Sequence, residues 1–211
     1  FQLKGASVLI QEMITKATET IIGVNSDKKL SEPLVIIPDM DGSEHECLLY
    51  LPLYSELGSV QIGVEKGSTL EAFMPLRHRV AIFGSSYPHG SSTSRSGMTY
   101  PAQFSRATGI QMLSLGCSGN CKLQDYFCDA LCDVDAEAFV FDAFSNPTPK
   151  QIEERLFPFI EKLQAAHPGK PLIFQRTIWR ENRAFSHSKD RGEAVKMEMA
   201  DSLMAIAVKK Y

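Results

Sequence analysis

The sequence predicts an α/β protein, a doubly wound parallel sheet preceded by a small β-rich domain. Two observations carry this. From residue 79 onward, four near-continuous apolar runs alternate strictly with segments of helical period, the order that builds parallel sheets through right-handed crossovers. Before about residue 77 the texture changes to short β-like runs separated by turn residues.

Taken in order, the first β-like runs are Leu34–Ile37, Cys47–Leu51 and Val60–Val64. Asp39-Met40-Asp41-Gly42 and Leu57-Gly58-Ser59 supply turn chemistry between them. Ala6 to Ile22 fits a helix or a strand and stays open. Glu71 to Arg79, with Pro75 and a basic cluster, reads as a linker, so the expected domains are 1–77 and 78–211. Strands are expected over 80–85, 111–115, 137–143 and 171–177, their continuous apolar character implying burial on both faces. Helices are expected over 99–108, 121–133, 149–166 and 190–209. The third has clear start signals: Thr148 as N-cap, Pro149 at the first helical position and Gln151 completing a capping box. Its apolar face is Ile152, Leu156, Phe159, Ile160 and Leu163, with a kink expected at Pro158. The last helix is expected to bury Val195, Met199, Leu203 and Ile206. An α/β unit ending on such a helix normally feeds another strand and none follows, so either the protein itself or the given sequence is expected to be cut short.

Composition narrows the function classes. The chain of 211 residues is 44% hydrophobic and 22% charged, as in ordinary globular proteins. Its net charge of −3 offers no electrostatic footprint for nucleic acid or an anionic membrane. No apolar run approaches the ~20 residues of a membrane span. Phe1-Gln2-Leu3-Lys4-Gly5 shows no initiator Met and no signal-peptide pattern, as expected of a mature or trimmed form. Five cysteines, an odd number, do not by themselves make a disulfide framework. Cys121, Cys128 and Cys132 are spaced as one face of a helix, which favours core thiols over a metal cluster with Cys117.

Three loops, each closing an apolar strand, carry the chemistry. Ser86 lies in Gly84-Ser85-Ser86-Tyr87-Pro88-His89-Gly90, Gly119 in Gly116-Cys117-Ser118-Gly119-Asn120, and Asn146 in Asp142-Ala143-Phe144-Ser145-Asn146. The carboxyl ends of parallel strands open onto one crevice. A serine nucleophile, a backbone amide and a side-chain amide there are what acyl transfer requires. Singly, each has a plain alternative: a turn serine, a loop glycine, a turn residue before Pro147. Their recurrence on consecutive loops favours a site. Gly84 leaves room for close backbone approach and Gly90 permits a tight turn. Walker A and dinucleotide fingerprints are absent.

With these blocks in view, residues 79 to 182 resemble the SGNH (GDSL-type) hydrolase superfamily. The resemblance is closest to a bacterial branch that carries a β-sandwich domain before the hydrolase. Gly84-Ser85-Ser86 and Ser94-Arg95-Ser96-Gly97-Met98 resemble its serine block. Leu115-Gly116-Cys117-Ser118-Gly119-Asn120-Cys121-Lys122-Leu123 is similar to its Gly-Phe-Ser-Gly-Asn-Gly-Lys-Leu, and Asp142 to Pro147 to its Asp-x-x-x-Asn. Glu181-Asn182-Arg183 matches a further stretch, and Leu48 to Val64 looks like the end of the β-sandwich. The resemblance implies a flavodoxin-like sheet order and a Ser86 nucleophile. The oxyanion hole would be the Ser86 and Gly119 N–H groups with the Asn146 amide. It further implies hydrolysis of acyl esters, O-acetyl groups among them, on a carbohydrate or small metabolite, with no metal or organic cofactor. Periplasmic or secreted location follows from the resemblance, while unpaired cysteines fit a reducing cytoplasm equally.

Two departures stand out. Ser85 occupies a position where the family often has Asp. The Asp-x-x-His that supplies the base occurs nowhere in the 211 residues, and the family carries it after the last strand. A serine hydroxyl without a base is a poor nucleophile at neutral pH, so these residues alone are expected to be nearly inactive. His89 is read as a loop or substrate contact, and His187 as a residue able to approach the rim. His45, His78 and His167 are read as solvated surface. Arg95 is read as holding the serine loop or a substrate oxygen, or as plain surface. Trp179, the one tryptophan, stacks on a sugar ring or packs at the sheet end. The favoured expectation is a serine esterase. Its rival is a non-catalytic carbohydrate-binding protein on a scaffold that has lost its base. A flavodoxin-like nucleotide binder would need a phosphate cradle that the sequence does not offer.

Overall fold

The computed structural model describes residues 2–4, 8–17, 34–37, 41–64, 66–72 and 76–211. Two units divide the chain, Phe1–Pro75 and Leu76–Tyr211. In the first, strands β1 (Gln2–Lys4), β2 (Val8–Ala17), β3 (Leu34–Ile37), β4 (Glu44–Glu46), β5 (Ser55–Val64) and β6 (Thr69–Glu71) form two three-stranded antiparallel sheets. Their orders are β4-β1-β6 and β3-β2-β5. The open stretch from Ala6 is therefore a strand over 8–17. It is rich in β-branched residues, and its register against β5 shifts between Met13 and Lys16. The rest of that stretch, Asp39 and Met40 of the first turn, and linker residues 73–75 lie outside the described residues. Cys47–Leu51 is not a strand. The run ends at Pro52, which cannot donate to a ladder, and the preceding Glu44–Glu46 pairs with β1 instead. Leu48 is left 61% exposed.

The second unit holds β7 (Arg79–Gly84), β8 (Gln111–Gly116), β9 (Ala138–Asp142) and β10 (Leu172–Phe174) in the order β8-β7-β9-β10, every pair parallel. This is the flavodoxin-like winding that the resemblance implies, with its switch beside β7. Helices α1 (Ser86–His89), α2 (Tyr100–Thr108), α3 (Asp125–Cys132), α4 (Pro149–Ala166) and α5 (His187–Lys210) complete it, with 3-10 turns at Ser96–Met98 and Glu181–Arg183. Only the central strands are deeply buried. The edges β8 and β10 are half-exposed, so apolar continuity overstated their burial. On one face Phe83 meets Phe127 of α3 at 5.2 Å and Phe159 of α4 at 6.2 Å, and Phe141 meets Phe159 edge-on.

The capping box at Thr148 and Gln151 forms, and all five expected residues of the α4 face are buried. The helix runs through Pro158, which sits on its exposed side. Helix α3 starts four residues later than expected, because Leu123 takes a left-handed φ of 55° and Gln124 becomes the N-cap. Cys121 is thus buried ahead of the helix rather than on its face. In α5 the inward residues are Lys196, Met197 and Ala200, with Met199, Leu203 and Met204 partly buried against the core, then Ala207, so Met199 and Leu203 pack as expected. Val195 and Ile206 are each 54% exposed.

Candidate active site

Parallel register sets the site. Gly84 of β7 lies opposite Gly116 of β8 and Asp142 of β9, so three loops leave the sheet at one level from strands ~4.8 Å apart. Short α1 lies across these strand ends. A Cβ on Gly84 would fall 2.7 Å from Asp142 Cβ and 2.8 Å from Pro88 Cγ. One on Gly116 would fall 2.2 Å from the His89 nitrogen. The Cys117 N–H donates to the Gly84 carbonyl at 2.7 Å, joining the first two loops at their base.

Ser85 caps α1, its hydroxyl accepting the Tyr87 N–H at 3.4 Å, and Ser86 is the first helical residue. Gly90, at φ 92°, closes the turn by donating to the Ser86 and Tyr87 carbonyls. The Ser86 side chain is half-buried, and its hydroxyl has no hydrogen-bond partner among the described residues. Ser85 is fully buried. Its N–H donates to Asp142 Oδ2 at 3.3 Å, and its hydroxyl makes a short hydrogen bond to the same oxygen. The other oxygen, Oδ1, accepts the Ser145 hydroxyl at 2.6 Å. Burial, with the charge of Asp142 nearby, holds the Tyr100 phenol above its ordinary range.

Gly119 stands exposed in the second loop at φ 73°, a left-handed position that suits glycine. Beside it the Ser118 N–H donates to His89 Nδ1 at 3.0 Å, and the Ser118 and Ser91 hydroxyls pair at 3.2 Å. Because Nδ1 accepts, the neutral His89 ring carries its proton on Nε2. Asn146 is half-buried, and its Oδ1 is buried without a partner among the described residues. With that oxygen turned inward, the NH₂ of the planar amide points the other way.

The remaining predicted residues divide. Arg95 is exposed before the 3-10 turn; its carbonyl accepts the Met98 N–H at 2.9 Å, and its guanidinium has no hydrogen-bond or ion-pair partner among the described residues. It holds no part of the serine loop. Trp179 is 58% exposed, one face covered by the Arg183 guanidinium at 4.3 Å. Neighbouring Arg180 lies 5.7 Å over the ring of Tyr87, bringing the loop after β10 to the residue that follows Ser86. His187 is exposed and opens α5. His45 and His78 are exposed beside Asp41 and Glu137. His167 is not surface: it is half-buried, its Nε2 lies 2.9 Å from the Leu131 carbonyl and its ring 4.5 Å from Phe139. Among the described residues no cluster of His, Cys, Asp or Glu is placed to hold a metal. The group that sequence reasoning left without a role is Asp142. Its visible signals were a carboxylate closing an apolar strand and its place at the head of the Asp-x-x-x-Asn block.

Residues 77–210 match the family model described as the GDSL-like lipase/acylhydrolase family. The chain belongs to that family. As a GDSL-like acylhydrolase it is an ester hydrolase, and residues 13–70 match a second model described as the N-terminus of SGNH-hydrolase-type esterases. A protein described as a GDSL-like lipase from Bacteroides ovatus ATCC 8483 is 30% identical, covering 99% of this chain and 69% of its own, with a TM-score of 0.88. The salicylyl-acyltransferase of a tetracycline biosynthetic pathway is 18% identical over 100% of this chain and 67% of its own, with a TM-score of 0.67. A family two carbohydrate esterase from Clostridium thermocellum, solved with cellohexaose, is 12% identical over 91% of this chain and 75% of its own, at 0.63. The last two likenesses concern the fold alone. No curated protein matches the chain. Among the described residues no helix of this acylhydrolase is long and apolar enough to cross a membrane.

Proposed function

We propose that this acylhydrolase is a serine esterase that cleaves acyl esters, O-acetyl groups among them, from a carbohydrate or small metabolite through an acyl-enzyme on Ser86. The observation that carries the reading is the level register of Gly84, Gly116 and Asp142, which starts the Ser86, Gly119 and Asn146 loops side by side. Ser86 Oγ attacks the ester carbonyl and gives its proton to a general base. We assign no base within the 211 residues, which contain no Asp-x-x-His. The tetrahedral oxyanion is held by the N–H groups of Ser86 and Gly119 and the NH₂ of Asn146. Collapse expels the alcohol, and water then attacks the acyl-enzyme to release the acid and restore the Ser86 hydroxyl. The carbohydrate assignment is supported by the fold shared with a carbohydrate esterase solved with cellohexaose, and by the ring face of Trp179 opposite Arg183. His89 and Arg95 are the remaining proposed substrate contacts.

The test is turnover of p-nitrophenyl acetate and of an acetylated oligosaccharide by the full-length protein. Ser86→Ala is expected to abolish turnover. Asn146→Ala removes one oxyanion donor, which lowers kcat by ~10²–10³. A Ser86→Ala variant as fast as wild type would sink the nucleophile assignment. Equal rates for Asn146→Ala and wild type would sink that of the amide.

A further inference from the structure

We propose that Asp142 is a positioning residue that sets the nucleophile loop and the amide loop against one another. The proposal rests on the reading of Ser86 and Asn146 above. Ser85, which donates to Oδ2 through both its N–H and its hydroxyl, immediately precedes Ser86. Ser145, whose hydroxyl donates to Oδ1 at 2.6 Å, immediately precedes Asn146. One carboxylate therefore grips the residue before the nucleophile with one oxygen and the residue before the oxyanion amide with the other.

The carboxylate is itself fixed. It is 1% exposed, and its Cβ packs so closely on Gly84 that a Cβ there would come within 2.7 Å of it. The Cys121 thiol donates to the Asp142 carbonyl at 3.7 Å, tying the backbone to the loop that follows Gly119. No lysine or arginine pairs with Asp142 among the described residues. A buried carboxylate with no cation is costly unless its hydrogen bonds are complete. Well-packed apolar groups would serve stability better at the end of β9. What the carboxylate adds is two anchored loops, and a misplacement of about 1 Å at a reacting group can cost 10²-fold in rate.

Asp142→Asn keeps the shape but replaces one acceptor oxygen with a donor, so one of the two loops loses its anchor. The expected result, with p-nitrophenyl acetate and the full-length protein, is a fall in kcat of about 10²-fold while KM changes less than about 3-fold. Ser85→Ala and Ser145→Ala each lose part of this rate. Ser145→Thr, which keeps the hydroxyl, restores what Ser145→Ala loses. Thermal midpoints of the two alanine variants stay within about 4 °C of wild type. If Asp142→Asn fails to fold, the Ser85 and Ser145 variants carry the same test. Unchanged kcat in the folded variants overturns the proposal, as does a rate loss that merely follows loss of the folded fraction. Ser86→Ala, measured alongside, separates the two levels. If it is inactive while the Asp142 and Ser145 variants keep full kcat, the positioning role fails and the nucleophile stands. If Ser86→Ala stays active, the underlying reading fails first.

Discussion

A methyl group on Gly116 would sit 2.2 Å from the backbone nitrogen of His89, and backbone does not yield as a side-chain tip does. Gly116→Ala must push α1 off the strand end, moving Ser86 with it. The expected cost is ~1–3 kcal/mol of stability, the usual range for overpacking, with turnover falling in the same variant. Gly192→Ala is the control: it lies within α5 with nothing within 4 Å of its Cβ. There an alanine is expected to be neutral or to stabilise by up to ~1 kcal/mol through helix propensity. Melting curves of the two variants check both signs, and an unperturbed Gly116→Ala would show that α1 is not wedged against β8. At this scale the sequence shows which residues break the apolar runs, and so names Ser86, Gly119 and Asn146 as loop residues at strand ends. It does not show that Asp142 serves Ser85 and Ser145 at once. That pairing arises only when β7 and β9 lie in parallel register, a contact spanning 57 residues of chain. For the same reason the sequence left Arg95 open between a loop clamp, a substrate contact and plain surface, while His167 looked exposed and is packed on Phe139.

Elements were legible where local chemistry decides them. Helix α4 starts at its capping box, with Thr148 and Gln151 exchanging hydrogen bonds at 2.9 and 3.3 Å. Thr148→Ala is expected to cost ~1 kcal/mol, lowering the thermal midpoint by about 2–4 °C. Thr148→Ser should keep most of that stability, and a fall as large as alanine's would deny the cap its role. Elements whose limits depend on tertiary neighbours were misjudged. Apolar spacing extended α3 back over Cys121, whereas Leu123 turns left-handed and its side chain is buried before the helix begins. The apolar run at 171–177 became the short edge strand β10, since beyond Phe174 the chain turns into the loop that carries Arg180 to Tyr87. In α5 the expected face was half right: Met199 and Leu203 pack on the core, while Val195 and Ile206 are exposed and Ala200 and Ala207 take the innermost places.

For the whole acylhydrolase unit, the winding order places its thiols in protected positions with a consequence for alkaline stability. Cys121 and Cys128 are fully buried, and their thiols donate to the Asp142 and Phe159 carbonyls. Burial pushes the Cys128 thiol up to about 12 from an ordinary 9.0, and raises Cys121 and, less deeply placed, Cys117 in the same direction. A raised thiol pKa means that the folded state keeps its proton where the unfolded chain has released it. The resulting stability is fully present below pH 9 and is lost as pH climbs toward 12. Trp179 is the only tryptophan of the chain and lies in this unit, so its fluorescence reports this unit's unfolding. Urea titrations followed at that emission should give a midpoint that holds from pH 7 to about 8.5 and declines steadily by pH 10. Cys128→Ala should flatten that decline while lowering the midpoint at pH 7, through the small cavity it leaves. A wild-type midpoint constant from pH 8 to 10 would mean that the thiols ionise equally in both states, and that the core beneath β7 and β9 admits water.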